Sequence, residues 1–322
     1  MPYDLEPRLL RAFAAVAEEL HFTRAAARLF VAQQALSRDI RRLETAVGAR
    51  LFIRTTRSVA LTAEGARLLP YARRVLAAYD ELAAAYAGEV RPLLVDVSVS
   101  VSTGQRVVTA ARAAAPALEF VTRYHSGLCG AAEQILAGRL DVSFGRVAGL
   151  TPAVREQLDH VPVRLERMAV LLPEEHPLAT RNEVPVGALR GETVYAGAGN
   201  PATAEWTGLA ARLFEGHGIV MAEPFPELEG AEEFIRVVRK RGWSVLAAAE
   251  FIEVPGMVLR PLVDPVPLSP VSMVWRRGLR HPGLDALRAA ARELGASQGW
   301  MHSSTTAWLP PEDTAVMTAG AR

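Results

Sequence analysis

Between residues 33 and 41, five side chains able to bond nucleic-acid bases recur on one helical face. If the segment from Gln33 to Val47 is helical, Leu36, Ile40 and Leu43 fall at i, i+4 and i+7 and turn inward. Gln33, Gln34, Ser37, Arg38 and Arg41 then point outward. A glutamine amide pairs with adenine through two bonds, an arginine guanidinium does the same to guanine O6 and N7, and a serine hydroxyl takes base or phosphate. A solvated polar face is the competing interpretation. Charge favours the first: residues 21–74 hold eleven arginines against three acids, an excess of eight positive charges in a chain whose net charge is only +1. A cationic module is attached to a mildly acidic body, and nucleic acid is the partner such a module suits.

The elements that must present this face can be read on either side of it. Leu9, Leu10, Phe13, Val16 and Leu20 recur at helical spacing over residues 5–20. Thr23 is placed to cap a short helix over 24–29 and is a further candidate for DNA contact, a turn follows at 30–32, and the base-reading helix ends at Gly48. Two helices joined by a tight turn form a helix-turn-helix, whose second helix enters the major groove. Residues 51–62 then read as two short strands around a basic turn, a wing that places Arg54 and Arg57 on phosphates or in the minor groove.

Thr62 caps a further helix in which Leu68, Ala72, Val75, Tyr79, Leu82 and Tyr86 are spaced 4, 3, 4, 3 and 4 apart. That is a heptad seam suited to pairing two chains, although packing on its own domain would use the same residues. Pro70 predicts a kink or break near Leu69, and residues 87–92 a hinge. Beyond the hinge, β-branched runs alternate with helical segments, the pattern of a parallel sheet with crossover helices. Hinge-like segments at 163–167 and 258–262 suggest two lobes with a cleft between them.

Phe22-Thr23-Arg24-Ala25-Ala26, the run from Gln33 to Glu44, Gly48, Leu51-Phe52-Ile53-Arg54 and Leu61-Thr62-Ala63-Glu64-Gly65 together resemble the N-terminal signature of LysR-type transcriptional regulators, without gaps over about sixty residues. Gln34 departs from the small residue or proline often found there. Weaker matches at 135–142, 175–179 and 239–245 are similar to the effector domain of the same family.

The resemblance implies an α/β multidomain chain: a winged helix-turn-helix over 1–61, a linker and dimerisation helix over 62–90, and a two-lobed α/β effector-binding domain over 91–296 that resembles type 2 periplasmic binding proteins. Lobe I takes about 91–165 and 268–296, lobe II about 166–267, and 297–322, beyond the family's usual end, is expected to be a mobile tail. Ser100 and Ser102 fall on effector-contacting positions with Thr103 beside them, and Asn200 and Thr203 belong to a second such loop. His125 and Arg146 follow strands and can reach the cleft, where Arg146 would clamp a carboxylate. Serines at a strand end also serve simply as helix caps. Expected partners are double-stranded promoter DNA, a small-molecule effector with carboxylates among the candidates, a second copy in a homodimer, a tetramer built as a dimer of dimers, and RNA polymerase.

Other chemistries find little support. Half the residues are apolar and 22% charged, which excludes wholesale disorder. Seven scattered histidines and one cysteine, Cys129, offer no metal-ligand spacing, and no nucleophile elbow or phosphate loop occurs, so neither enzyme activity nor a cofactor is expected. Cys129 reads as a packed thiol rather than a redox sensor. With no membrane-length apolar run and no signal-like start, the expected location is the cytoplasm. Two other readings remain open: an architectural DNA-binding protein with a ligand-free oligomerisation domain, and a solute-binding protein of the same two-lobed fold.

Overall fold

The computed structural model describes residues 5–54, 58–87, 90–98, 100–124, 127–226, 230–304 and 306–319, leaving out the side chains of 81, 83–87 and 319. It divides into two compact units, residues 1–91 with 136–139, and residues 92–135 with 140–322.

In the first unit, α1 (Pro7–Glu19), α2 (Phe22–Arg28) and α3 (Gln33–Val47) precede a hairpin of β1 (Phe52–Arg54) and β2 (Val59–Leu61), and α4 (Ala63–Ala87) follows. The inward stripe is as expected: Leu36, Ile40 and Leu43 are fully buried with Phe13 and Leu51. Each such side chain contributes about 1.5–3 kcal/mol of burial. Gly48 ends α3 in the left-handed conformation. The buried Glu44 carboxylate accepts the Leu51 N–H at 2.9 Å and ties the end of α3 to the wing. Thr62 caps α4 by accepting the Gly65 N–H at 3.0 Å. Position 65 needs glycine, because a Cβ there would lie 2.2 Å from the Leu51 carbonyl oxygen.

Two expectations for this unit change. The cap of α2 is His21, whose Nδ1 accepts the Arg24 N–H, so Thr23 sits inside the helix, in its first turn. The expected break at Leu69 is absent too: α4 is helical through Pro70, where Leu68, Leu69, Ala72 and Leu76 pack on the domain core.

The second unit runs β3 (Leu93–Asp96), α5 (Thr103–Ala114), β4 (Phe120–Arg123), α6 (Leu128–Leu136), β5 (Val142–Gly145), α7 (Pro152–Arg155), β6 (Leu158–Pro173), β7 (Val184–Pro185), β8 (Thr193–Tyr195), α8 (Ala204–Phe214), β9 (Val220–Met221), α9 (Ala231–Arg241), β10 (Ser244–Ala248), β11 (Met257–Val263), β12 (Val266–Arg276), α10 (Pro282–Gln298), β13 (Ala307–Trp308) and α11 (Pro311–Ala319). The strand order β4-β3-β5-β12-β6-β10-β8-β9 makes a mixed sheet.

The expected parallel pairing holds within each lobe but not across the whole sheet. Each lobe has a parallel group, β4-β3-β5 in one and β10-β8-β9 in the other. The 16-residue β6 joins them, pairing antiparallel with β12 through Arg167 and with β10 and β11 from Met168 onward. The first expected crossing, 163–167, lies in β6; the second, 258–262, lies within β11, which pairs with β6 in the second lobe, so the chain returns only after Val263.

The expected mobile tail is also corrected for 306–319. β13 adds to β12 in parallel register, and α11 buries Asp313 and Met317. A segment rich in Ser, Thr and Ala hides its few anchors, Trp300, Trp308 and Met317, but those suffice to dock it.

Candidate functional site

On the first unit, α3 presents Gln33, Gln34, Arg38 and Arg41 to solvent, fully or in part, and Ser37 partly so, while its apolar stripe is buried. Thr23, displaced into α2, donates its hydroxyl to Gln33 Oε1 at 3.1 Å. The bond fixes the amide orientation and leaves its NH2 free to act as a donor. Arg54, at the end of β1, lays its guanidinium 4.1 Å from the centroid of the Phe22 ring, which holds the wing cation beside α2. Arg57 lies outside the described residues.

Ion pairs sort the arginines of this module. Arg24 bonds the Glu19 carboxylate and carbonyl, Arg28 meets Glu18 at 2.7 Å, Arg73 meets Glu18 at 2.9 Å, Arg42 meets Glu6 at 3.3 Å, and Arg50 approaches Glu44 at 3.8 Å. Arg38 and Arg41 make no ion pair among the described residues. A sequence count treats all these cations alike; among the described residues the pairing leaves Arg38 and Arg41 on α3, with Arg54, Arg67 and Arg74 elsewhere in the module, without an acidic partner.

The heptad seam divides. Leu68 and Ala72 belong to the core of the first unit, whereas Val75, Tyr79 and Leu82 are 50%, 46% and 56% exposed. The Tyr86 side chain lies outside the described residues.

In the second unit a cavity of about 340 Å³ opens between the two lobes. Ser102, Thr103, Arg146, Asn200 and Thr203 all line it, so the structure brings together five of the expected residues. His125 lies outside the described residues. Ser100 is exposed and is not among the lining residues; Ser98 takes that place, because β3 ends at Asp96 and Ser98 turns the chain with a positive φ of 59°.

Most of these groups are engaged within the protein. Ser102 caps α5, accepting the Gln105 N–H and donating to the Val97 carbonyl. Thr103 donates to Glu166 Oε1 at 2.5 Å and accepts from Arg164 at 3.2 Å. Asn200 accepts the Ala202 N–H at 2.9 Å, and the Thr203 hydroxyl is directed at carbonyls of its own loop. Arg146, expected to clamp a ligand carboxylate, is buried and already holds one: its Nε and Nη2 donate to Asp313 of α11 at 2.7–3.0 Å, and Nη1 donates to the Glu205 carbonyl at 3.1 Å.

Three contacts clasp the lobes. The Glu205 carboxylate accepts the N–H groups of Leu128 and Cys129 at the start of α6. Glu250 accepts from Arg106 at 2.8 Å and from Arg164 at 2.6 Å. Gly127, at φ +78°, meets the Ala202 backbone where a Cβ would lie 2.1 Å from its carbonyl oxygen. Burial pushes the Glu166 carboxyl up, and the hydrogen bonds from Arg164 hold that of Glu250 down. Burial and the neighbouring Glu205 push the Cys129 thiol up to about 12, which favours its protonated form.

Comparison with known proteins decides the family. Residues 7–66 match "Bacterial regulatory helix-turn-helix protein, lysR family", and residues 92–296 match "LysR substrate binding domain". This chain belongs to the LysR family. It is 36% identical over 199 residues to the uncharacterized HTH-type transcriptional regulator YnfL of Escherichia coli K12, covering 59% of this chain and 64% of that one. To the HTH-type transcriptional regulator XapR of the same organism it is 31% identical over 310 residues, covering 89% and 98%. A full-length OxyR variant from Pseudomonas aeruginosa shares the fold with a TM-score of 0.66 at 21% identity, covering 89% and 94%.

As a LysR-type transcriptional regulator, the chain couples a DNA-binding helix-turn-helix to an effector-binding domain, in a family made of regulators rather than enzymes. Among the described residues no helix is long and apolar enough to cross a membrane, and no group of three or more His, Cys, Asp or Glu could hold a metal ion. Sequence reasoning missed the cavity's carboxylates Glu166, Glu205 and Glu250 and its aromatic side chains. Glu205 carries one signal: an acid in the first turn of α8, just after a turn rich in glycine. Asp313 carries none, since its partner lies 167 residues away.

Proposed function

We propose that this LysR-type regulator reads promoter DNA with Gln33, Gln34, Ser37, Arg38 and Arg41 in the major groove, with Thr23 orienting Gln33 and Arg54 and Arg57 on the backbone. Val75, Tyr79 and Leu82 pair two chains into a homodimer through α4, dimers associate into a tetramer, and two reading heads sit on one operator in the cytoplasm. A small molecule in the inter-lobe cavity, bordered by Ser98, Ser102, Thr103, Asn200 and Thr203, alters the clasp between the lobes and thereby DNA bending or contact with RNA polymerase.

The observation that carries this reading is that Arg38 and Arg41, exposed on the face that holds the glutamines, make no ion pair among the described residues, whereas Arg24, Arg28 and Arg42 hold acids. Mobility shift on the DNA flanking the protein's own gene tests it. Arg38→Ala is expected to weaken binding by about tenfold or more, as the loss of a bidentate base contact requires, and Arg42→Ala by much less. Equal effects from the two would remove the reading face from α3.

A further inference from the structure

The cavity's charges point to a ligand class that differs from the carboxylates its serine-rich loop suggests. Four places on its border could receive an anion: at three a carboxylate of the protein takes the donors, and at the fourth, the start of α5, a carboxylate takes the Thr103 hydroxyl. Arg146 holds Asp313. The start of α6 holds Glu205. Arg106 and Arg164 hold Glu250. At the start of α5, Thr103 and Arg164 face Glu166, with Arg164 4.0 Å from its carboxylate. Among the described lining residues Arg146 is the one cation, whereas Glu166, Glu205 and Glu250 are all acids. An entering carboxylate would meet like charge in a weakly screened space and find no guanidinium to bond.

Apart from Ser98, Ser102, Thr103, Asn200, Thr203 and Ser269, the remaining lining is apolar. Phe144, Tyr195, Trp206, Phe234 and Phe251 line the cavity with aliphatic side chains between them. Aromatic rings stack on flat partners and attract cations through their faces. A space of about 150 Å³ holds benzene, so 340 Å³ accommodates a larger, fused ring.

We infer that the cavity takes a flat aromatic molecule bearing no negative charge, neutral or cationic, and that Asp313 and Glu205 enforce that choice by occupying the anion positions. This rests on the reading of the inter-lobe cavity as the effector site.

Isothermal titration of the full chain with three molecules of one shape tests both layers: naphthalene-2-carboxamide, naphthalene-2-carboxamidine and naphthalene-2-carboxylate. The amide or the amidine is expected to bind at least about tenfold more tightly than the carboxylate, and Ala248→Trp, which fills the cavity from β10, is expected to abolish that binding. Arg146 Nη2 also lies 3.6 Å from Glu312, so Asp313→Asn combined with Glu312→Gln frees its guanidinium and should raise carboxylate affinity about tenfold; Glu205→Gln makes the same test at the start of α6 should that variant fold poorly. Carboxylate binding to the wild type as tight as that of the amide, and lost in Ala248→Trp, overturns the charge rule while leaving the cavity as the site. Binding indifferent to Ala248→Trp, or no binding by any of the three, overturns the cavity reading and this inference with it.

Discussion

Asp313 closes on Arg146 with its carboxylate across Nε and Nη2, and the two side chains are only 1% and 8% exposed. The pair joins the last helix of the chain to a loop on the border of the cavity. It also explains why the segment after α10 is docked rather than trailing: the helix has an enclosed charge to satisfy.

Removing one partner of an enclosed ion pair strands the other and costs about 3–5 kcal/mol. Asp313→Ala is therefore expected to destabilise the C-terminal unit by about 3 kcal/mol in urea denaturation, and Arg146→Leu combined with it should recover part of the loss. A cost under about 1 kcal/mol, typical of an exposed pair, would contradict the docked arrangement of α11.

Opposite pH dependences are expected from the two acids beside Arg164. Glu250 is held low, so its contribution is present above the unfolded glutamate value of about 4.3 and is lost as pH falls through its lower folded value. Glu166 is raised by burial, so it subtracts stability as pH rises from the unfolded value through its higher folded one. In denaturation profiles from about pH 3 to 7, Glu250→Gln should flatten the acid loss, and Glu166→Gln should flatten the decline above about pH 4.3. Slopes that change in the same direction would refute the assignment.

The DNA contacts should separate by salt. Arg54→Ala removes a backbone contact and is expected to weaken all sequences alike and reduce the salt slope by about one. Arg38→Ala should relax preference at one base pair of each half-site, measured by competition among single-base variants of the operator. Identical behaviour of the two variants would abolish the distinction between reading and anchoring.

The divided seam on α4 predicts divided phenotypes. Tyr79→Glu with Leu82→Glu should yield folded monomers in sedimentation, whereas Leu68→Glu should unfold the winged helix, because Leu68 packs in its core. A dimer that survives the double substitution would place the chain-pairing surface elsewhere.

How much of this was legible depends on how local the cause is. Leu36, Ile40, Leu43, Gly48 and Thr62 behave as their spacing and capping chemistry require, because a helix's period and its ends are set within a few residues. The assignment of the α2 cap to Thr23 failed by two positions, since His21 takes the Arg24 N–H. Ser100 lost its place to Ser98 because β3 stops at Asp96 and the chain turns with a positive φ. The mixed sheet follows from β6 serving both lobes, and the occupation of Arg146 from a residue far along the chain; no local pattern encodes either.

Selection of duplexes from a random-sequence pool by the full chain, at moderate salt, tests most directly the claim that α3 reads bases and the rest of the molecule governs that reading. Enrichment of paired half-sites, with one base-pair position losing its preference when the selection is repeated with Arg38→Ala, is the predicted result. A pool that emerges without any sequence preference, or an enriched motif unchanged by that substitution, would contradict it.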